Sequence, residues 1–175
     1  ELELRGFHSH IGSQIFGTES FELAADRLIT LLAKYRDAYA KELPELDLGG
    51  GYGIAYLPED ETLEPDEVLP ALRSAVTKAC EKHKLNIPII SIEPGRAIVG
   101  PTTFTLYEVG TTKDVVLEDG AKRRYISVDG GMSDNIRPSL YDAEYHAVIA
   151  QRASNEKSIS SRVVGKHCET GDIVI

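Results

Sequence analysis

Cysteine is scarce in this sequence: Cys80 and Cys168 are the only two among 175 residues, so a disulfide framework is not indicated. Cys80 falls in the middle of a helical pattern, where a small apolar side chain fits well. Long apolar runs are missing too, and no stretch reaches the roughly 18 residues of a membrane-spanning helix. The start carries neither the basic segment nor the apolar run of a signal peptide, which makes a cytoplasmic protein the expectation. Positive charge is in deficit. With 19 Lys and Arg against 28 Asp and Glu, the net charge of -9 argues against nucleic acid and against an anionic membrane as partners. Internal repeats and low-complexity segments are absent. What is present is a 42% hydrophobic composition, enough for an ordinary globular core, and small soluble substrates stay open.

From Phe21 the apolar positions Leu23, Ala24, Leu28, Leu31, Leu32, Tyr35 and Tyr39 recur at three- and four-residue steps, which predicts an amphipathic helix after the polar start Thr18-Glu19-Ser20. The run Leu46-Asp47-Leu48 enters the cluster Gly49, Gly50, Gly51 and Gly53, marking a strand end and a loop. Pro65 at a first helical turn, with Glu64, Asp66 and Glu67 beside it, leads into Val68, Leu69, Leu72, Val76, Cys80 and His83, a second helix. Pro88 to Ile92 is apolar and β-branched at nearly every position, as in a strand buried on both faces. Strands alternating with helices imply parallel strands with helices outside, either an open doubly wound sheet or part of a (β/α)8 barrel. Beyond about residue 102, Thr103–Val109, Tyr125–Val128, Tyr145–Ala150 and Ser161–Val164 read as strands without long helices between them, a second, β-rich domain. The chain begins and ends inside what read as strands, Leu2–His8 and Asp172–Ile175, with no initiating methionine. It is therefore read as a fragment, inactive by itself, with an uncovered sheet edge that favours instability or self-association.

Three strand ends in the first hundred residues close on residues with chemistry: His8 to Gln14, Gly49 to Gly51, and Glu93-Pro94-Gly95-Arg96. Glycines after a strand let backbone N–H groups approach an anion, and the Ser13 hydroxyl would complete a phosphate cradle; a plain tight turn is the simpler alternative. His10 can stack on a ring or carry a proton, or be an ordinary core histidine. His8 and His10 are not expected to serve one site, and no metal is expected on them. Glu93 and Arg96 could equally pair with each other. Cys168-Glu169-Thr170-Gly171-Asp172 reads as a turn with a surface thiol, and Arg137, Pro138 and Tyr141 pass for loop residues.

In order along the chain stand His8-Ser9-His10-Ile11-Gly12-Ser13-Gln14, Leu48-Gly49-Gly50-Gly51-Tyr52-Gly53, Glu93-Pro94-Gly95-Arg96, Val128-Asp129-Gly130-Gly131-Met132-Ser133-Asp134-Asn135-Ile136-Arg137-Pro138, and Cys168-Glu169. Together these segments, spanning nearly the whole chain, resemble the fold-type III, alanine-racemase-like amino-acid decarboxylases that depend on pyridoxal 5'-phosphate. The resemblance implies an α/β fold. Residues 1–101 would be the C-terminal part of a pyridoxal-phosphate-binding (β/α)8 TIM barrel, and residues 102–175 part of a β-rich domain. It also implies a homodimer in the full-length enzyme, with the active site shared between subunits.

On this likeness Gly49, Gly50 and Gly51 with Ser13 hold the cofactor phosphate, His10 lies against the ring, and Glu93 pairs with the ring nitrogen. Arg96 serves the cofactor and substrate end. Arg137 and Tyr141 grip a distal carboxylate, Glu169 receives a distal ammonium, and Cys168 reprotonates the α-carbon. A small-molecule amino acid with both groups at its far end is meso-2,6-diaminopimelate, which decarboxylation converts to L-lysine. Two alternatives remain: a decarboxylase of a related diamino acid, of carboxynorspermidine or D-amino-acid type, and a non-catalytic pyridoxal-phosphate-binding barrel. A Rossmann-type module ranks lower, because the glycines do not form G-x-G-x-x-G. The chain departs from the family in two respects: none of its lysines matches the motif of the lysine that attaches the cofactor, and a tyrosine that the family supplies near the C-terminus is missing. Thr170 stands where the family has serine, which keeps the hydroxyl.

Overall fold

The computed structural model describes residues 2–175, which form two compact units. The first comprises the chain up to Ala55 together with Asp60–Thr103, and the second comprises Tyr56–Glu59 with Phe104–Ile175.

In the first unit, strands β1 (Gly6–His8), β2 (Glu45–Asp47) and β3 (Ile89–Ser91) alternate with helices α1 (Glu19–Tyr39) and α2 (Pro65–His83), and a short helix α3 (Gly95–Val99) follows. All the pairings are parallel, in the order β1-β2-β3. Phe7, Leu46 and Ile90 share one rung and meet the helices in a core with Phe21, Ile29, Leu32, Val76 and Cys80. His8, Asp47 and Ser91 share the next rung, so they leave the opposite face. Pro65 opens α2 at its first turn, with Asp66 and Glu67 beside it, as the sequence predicts. At the other end, Arg36 of α1 donates to the His83 and Lys84 carbonyls at 2.8 and 3.0 Å. A cation on the last carbonyls of α2 complements that helix's dipole.

The helical stripe is shifted from the expected one. Phe21, Ala24, Ala25, Leu28, Ile29, Leu32 and Ala33 are buried, while Leu23, Leu31, Tyr39 and, in α2, Leu69 are exposed. Apolar residues on both flanks of a 3.6-residue period allow two readings, and the contact with the sheet selects one. The expectation that β3 is buried on both faces fails as well, because Ile89 points away from the helices and is 65% exposed. Pairing of β1 begins only at Gly6, with Leu2 and Leu4 exposed.

The second unit holds β4 (Val109–Val116), β5 (Lys122–Val128), a short helix α4 (Arg137–Tyr141) and β6 (Ser161–Val164). β4 and β5 are antiparallel, β5 and β6 parallel. Gly120 at φ 83° closes the hairpin behind Asp119, the expected turn chemistry. Across the hairpin Arg124 grips Asp114 with two bonds of 2.6 and 2.7 Å. The strand expected at Thr103–Val109 begins only at Val109. The one expected at Tyr145–Ala150 is absent: its β-forming residues find no ladder partner among the described residues, and Val148 is 78% exposed. Residues 172–175 are not a regular strand either, but an isolated bridge of Ile173 with Val164 and a bond from Val174 N–H to the Val163 carbonyl. At residues 145–150 β-propensity without a partner does not make a strand, whereas residues 172–175 run beside β6, with Gly165 N–H donating to the Asp172 carbonyl and Val163 N–H to the Ile175 carbonyl. Among the described residues no helix is long and apolar enough to cross a membrane.

Ile29, fully buried, is expected to cost about 2–5 kcal/mol on Ile29→Ala, whereas exposed Leu23→Ala should cost less than about 0.5 kcal/mol; thermal unfolding of the two variants checks the stripe. The hydrogen bonds from Arg124 hold the Asp114 carboxyl below its ordinary value of 3.8. A depressed carboxyl contributes stability above its unfolded pKa and loses it as pH falls through the folded one. Carbon-13 titration should therefore place the Asp114 midpoint below 3.8 and return it upward in Arg124→Gln.

Candidate active site

Because the strands of the first unit are parallel, the loops after β1, β2 and β3 leave the same edge of the sheet. They enclose a pocket of about 290 Å³ lined by His10, Ser13, Gly51, Tyr52, Glu93, Pro94, Gly95 and Arg96. His10 and Ser13 come from the first loop, Gly51 and Tyr52 from the second, Glu93 and Pro94 from the third, and Gly95 and Arg96 from the start of α3.

The glycine loop is shaped by close approach. A Cβ on Gly49, Gly50 or Gly51 would run into the carbonyl oxygen of Ser9, Glu93 or Gly12 respectively, and Gly49 and Gly51 adopt φ of 71° and 105°, where a side chain is strained. Asp47 Oδ1 accepts the Gly49 N–H at 2.8 Å, and the Gly49 carbonyl accepts the Glu93 N–H at 2.9 Å. Among the described residues, no acceptor faces the N–H groups of Gly50 and Gly51, which leaves them available to an anion. Gln14 straps the first loop to the second, its side-chain amide exchanging bonds of 3.0 and 3.1 Å with the backbone of Ile54. Tyr52 stacks on Phe21 with ring centroids 4.6 Å apart. Burial, and after it the charge of Asp47, pushes its phenol up to about 12, so it stays neutral. The Tyr52 hydroxyl and Ser9 Oγ are buried without a hydrogen-bond partner among the described residues.

Glu93 Oε2 lies 3.1 Å from His8 Nε2, and a carboxylate oxygen of Asp47 completes a cluster whose ligand atoms are within 4.8 Å of one another. This corrects the separation of the two histidines. Residues two apart in an extended chain share a face, and His8 holds the same Glu93 that lines the pocket with His10.

In the second unit Arg137 lies over the Tyr141 ring, 5.3 Å from its centroid, and donates from Nε to the Tyr145 hydroxyl at 3.2 Å. Arg137, Pro138 and Tyr141 thus belong to a short helix rather than a loop. Cys168 and Glu169 are exposed on a turn, closed by a bond from Asp172 N–H to the Glu169 carbonyl. Asp172, only 3% exposed, anchors that turn: its carboxylate accepts the N–H groups of Met132 and His167, each at 2.6 Å. Sequence reasoning assigned no role to Asp172, Gln14 or His8. Glu93, Ile54 and Met132, with which they bond, lie far along the chain, and no local spacing announces them.

Two family models match the chain, one over most of the parallel β/α unit and one over the β-rich unit. Residues 1–100 match the pyridoxal binding domain of the pyridoxal-dependent decarboxylases, and residues 68–175 match their C-terminal sheet domain. The chain belongs to the pyridoxal-dependent decarboxylases. It is 53% identical over 174 residues to the diaminopimelate decarboxylase of Corynebacterium efficiens, covering 99% of this chain and 38% of that protein. Against the Bacillus subtilis diaminopimelate decarboxylase the identity is 44%, with 99% and 39% covered. The solved diaminopimelate decarboxylase of M. jannaschii, in co-complex with L-lysine, superposes with a TM-score of 0.81 at 28% identity, covering 95% of this chain and 36% of that one. The chain thus spans well under half the length of these relatives, and its fold is part of a (β/α)8 barrel followed by part of a sheet domain.

The residues present fit a pyridoxal cofactor on chemical grounds. Unpaired glycine N–H groups suit a phosphate, and an imidazole and a carboxylate line the same pocket. Among the described residues no lysine lines it. Gly50→Ala should push Glu93 aside and weaken pyridoxal phosphate binding by at least about fivefold. Fluorescence titration of the full-length apoprotein reads this directly, and unchanged affinity would show that the loop is not the cradle.

Proposed function

We propose that this chain is part of a cytoplasmic, homodimeric diaminopimelate decarboxylase that removes one carboxylate of meso-2,6-diaminopimelate to give L-lysine and carbon dioxide. The observation that supports this most directly is the convergence of His10, Ser13, Gly51, Glu93 and Arg96 on one pocket, in a chain so similar to diaminopimelate decarboxylases along its whole length.

On this reading the Gly50 and Gly51 N–H groups, with the glycine turn at Gly49 and the Ser13 hydroxyl, bind the cofactor phosphate. His10 packs on the ring face, and Glu93 holds a proton at the ring nitrogen. Bound pyridoxal phosphate supplies an electron sink for the pair left at the α-carbon as carbon dioxide departs. Arg96 orients the cofactor and substrate end of the pocket. Arg137 offers a planar fork to the distal carboxylate, flanked by Tyr141. Glu169 neutralises the distal ammonium. The Cys168 thiol, exposed on its turn, delivers a proton to the α-carbon in the active site of the partner subunit.

Charge reversal isolates the substrate assignment. In the full-length enzyme, Arg137→Glu and Glu169→Lys are each expected to lower kcat/KM for meso-diaminopimelate by about a hundredfold, measured as lysine formed. Activity at the wild-type level in both variants, or turnover of a diamine acid without the distal carboxylate at a higher kcat/KM, would overturn the assignment.

A further inference from the structure

His8 is the one polar side chain bonded to Glu93 in the described hydrogen-bond network, yet nothing in the function proposed above uses it. It ends β1 and stands on the same rung as Asp47, which ends β2, and Ser91, which ends β3. In parallel strands one rung presents its side chains to one face, here the face away from Phe7, Leu46 and Ile90. Glu93 follows Ser91 by two residues, and its backbone is pinned to the glycine loop through the Gly49 carbonyl at 2.9 Å. Its side chain is not fixed by that bond. A glutamate whose side chain is 55% exposed, with three rotatable bonds, samples many directions unless a partner selects one.

The partner is His8, whose Nε2 lies 3.1 Å from Glu93 Oε2. A carboxylate oxygen only accepts hydrogen bonds, so Nε2 carries the proton. The bond occupies one carboxylate oxygen and leaves Oε1 unclaimed by His8. Asp47, on the middle strand, gives Oδ1 to the Gly49 N–H at 2.8 Å, and a carboxylate oxygen of it lies within 4.8 Å of the His8 and Glu93 ligand atoms, so the carboxylate that shapes the glycine loop borders the pair. With both side chains about half exposed, the His8–Glu93 pair adds little to folding. Its consequence is directional.

We propose that His8 is a positioning residue for Glu93, holding Oε2 so that Oε1 faces the ring nitrogen of the bound cofactor. This rests on the reading of Glu93 given under the proposed function, and it adds to that reading a residue from the first strand that sets where the carboxylate points. Neither His8 nor Asp47 is required to touch cofactor or substrate.

The test uses the full-length enzyme, resolved to the apoprotein and titrated with pyridoxal phosphate, in the variants H8F, H8Q, E93Q and H8F/E93Q. Cofactor dissociation constant, visible absorption band, kcat, KM and thermal midpoint are read for each. H8F is expected to loosen the cofactor by about tenfold, the value of one hydrogen bond to a charged group, to alter the band, and to lower kcat with KM little changed. H8Q, whose side-chain amide can still donate, should recover most of the loss. H8F should cost nothing further once Glu93 is already Gln. If H8F also lowers the thermal midpoint, His8→Asn, polar but too short to reach Glu93, takes its place with the same expected loss.

H8F equal to wild type while E93Q is impaired would overturn the positioning role and leave the reading of Glu93 standing. E93Q equal to wild type in affinity, band and kcat would overturn the reading of Glu93 and the positioning role with it. Equal losses in H8F and H8Q, or a full further loss from H8F in the E93Q background, would also overturn it.

Discussion

The pocket depends on the parallel pairing of β2 with neighbours on both sides. Leu46, fully buried, has Phe7 and Ile90 as its register partners, and the core of the first unit is built on that rung. One residue further along, His8, Asp47 and Ser91 make up the rung at the edge from which all three loops depart. A slip of one residue would turn Leu46 away from the helices and His8 into them. The apolar burial that stabilises the unit therefore also fixes which polar side chains emerge at its functional edge. Core packing and site chemistry are two consequences of a single register.

The charge balance adds a second constraint. A chain with a net charge of -9 does not attract an anion by its overall field. Any phosphate that binds here needs local donors, and peptide N–H groups provide them without adding a mobile side chain. Gly50 and Gly51 can do so because close backbone contacts exclude side chains at those positions, and because their amides are not consumed by the sheet. The same crowding that admits only glycine brings the Glu93 backbone against the loop, so the anion donors and the carboxylate form one piece of structure.

Much of this was legible in the sequence, unevenly and for identifiable reasons. The α/β alternation, the helix from Glu19 and the Pro65 start of α2 followed from periodicity and capping, which are local properties. The facing of α1 was harder, since Leu23 and Leu31 extend the apolar pattern on the flank that the sheet does not cover. Tyr145–Ala150 shows the limit of propensity: its side chains suit a strand, but strand formation is a property of two segments and the second is absent among the described residues. His8, Gln14 and Asp172 were not legible in their roles. His8 meets a partner 85 residues away, and Gln14 and Asp172 meet partners 40 residues away, separations at which spacing carries no information. Two of these three also hold loops that carry residues with chemistry, which is where a single sequence is least informative.

The acidic residues themselves point to a common device in both units. Asp47 accepts the Gly49 N–H and Glu42 the Asn86 N–H. Asp129 accepts the Glu108 N–H and Asp134 the Gly131 N–H, while buried Asp172 accepts two, from Met132 and His167. Loop amides outside helices and strands need acceptors, and a carboxylate provides a strong one that can reach between segments. These carboxylates, buried like Asp172 or exposed like Asp129 and Asp134, serve backbone geometry. Asp172 illustrates what this achieves: by tying Met132 to His167 it fixes the turn on which Cys168 is presented, so an exposed thiol needs no contact of its own to have a defined position. Glu93 differs, because its backbone is held by a carbonyl and its carboxylate is left to a side chain, His8, to direct.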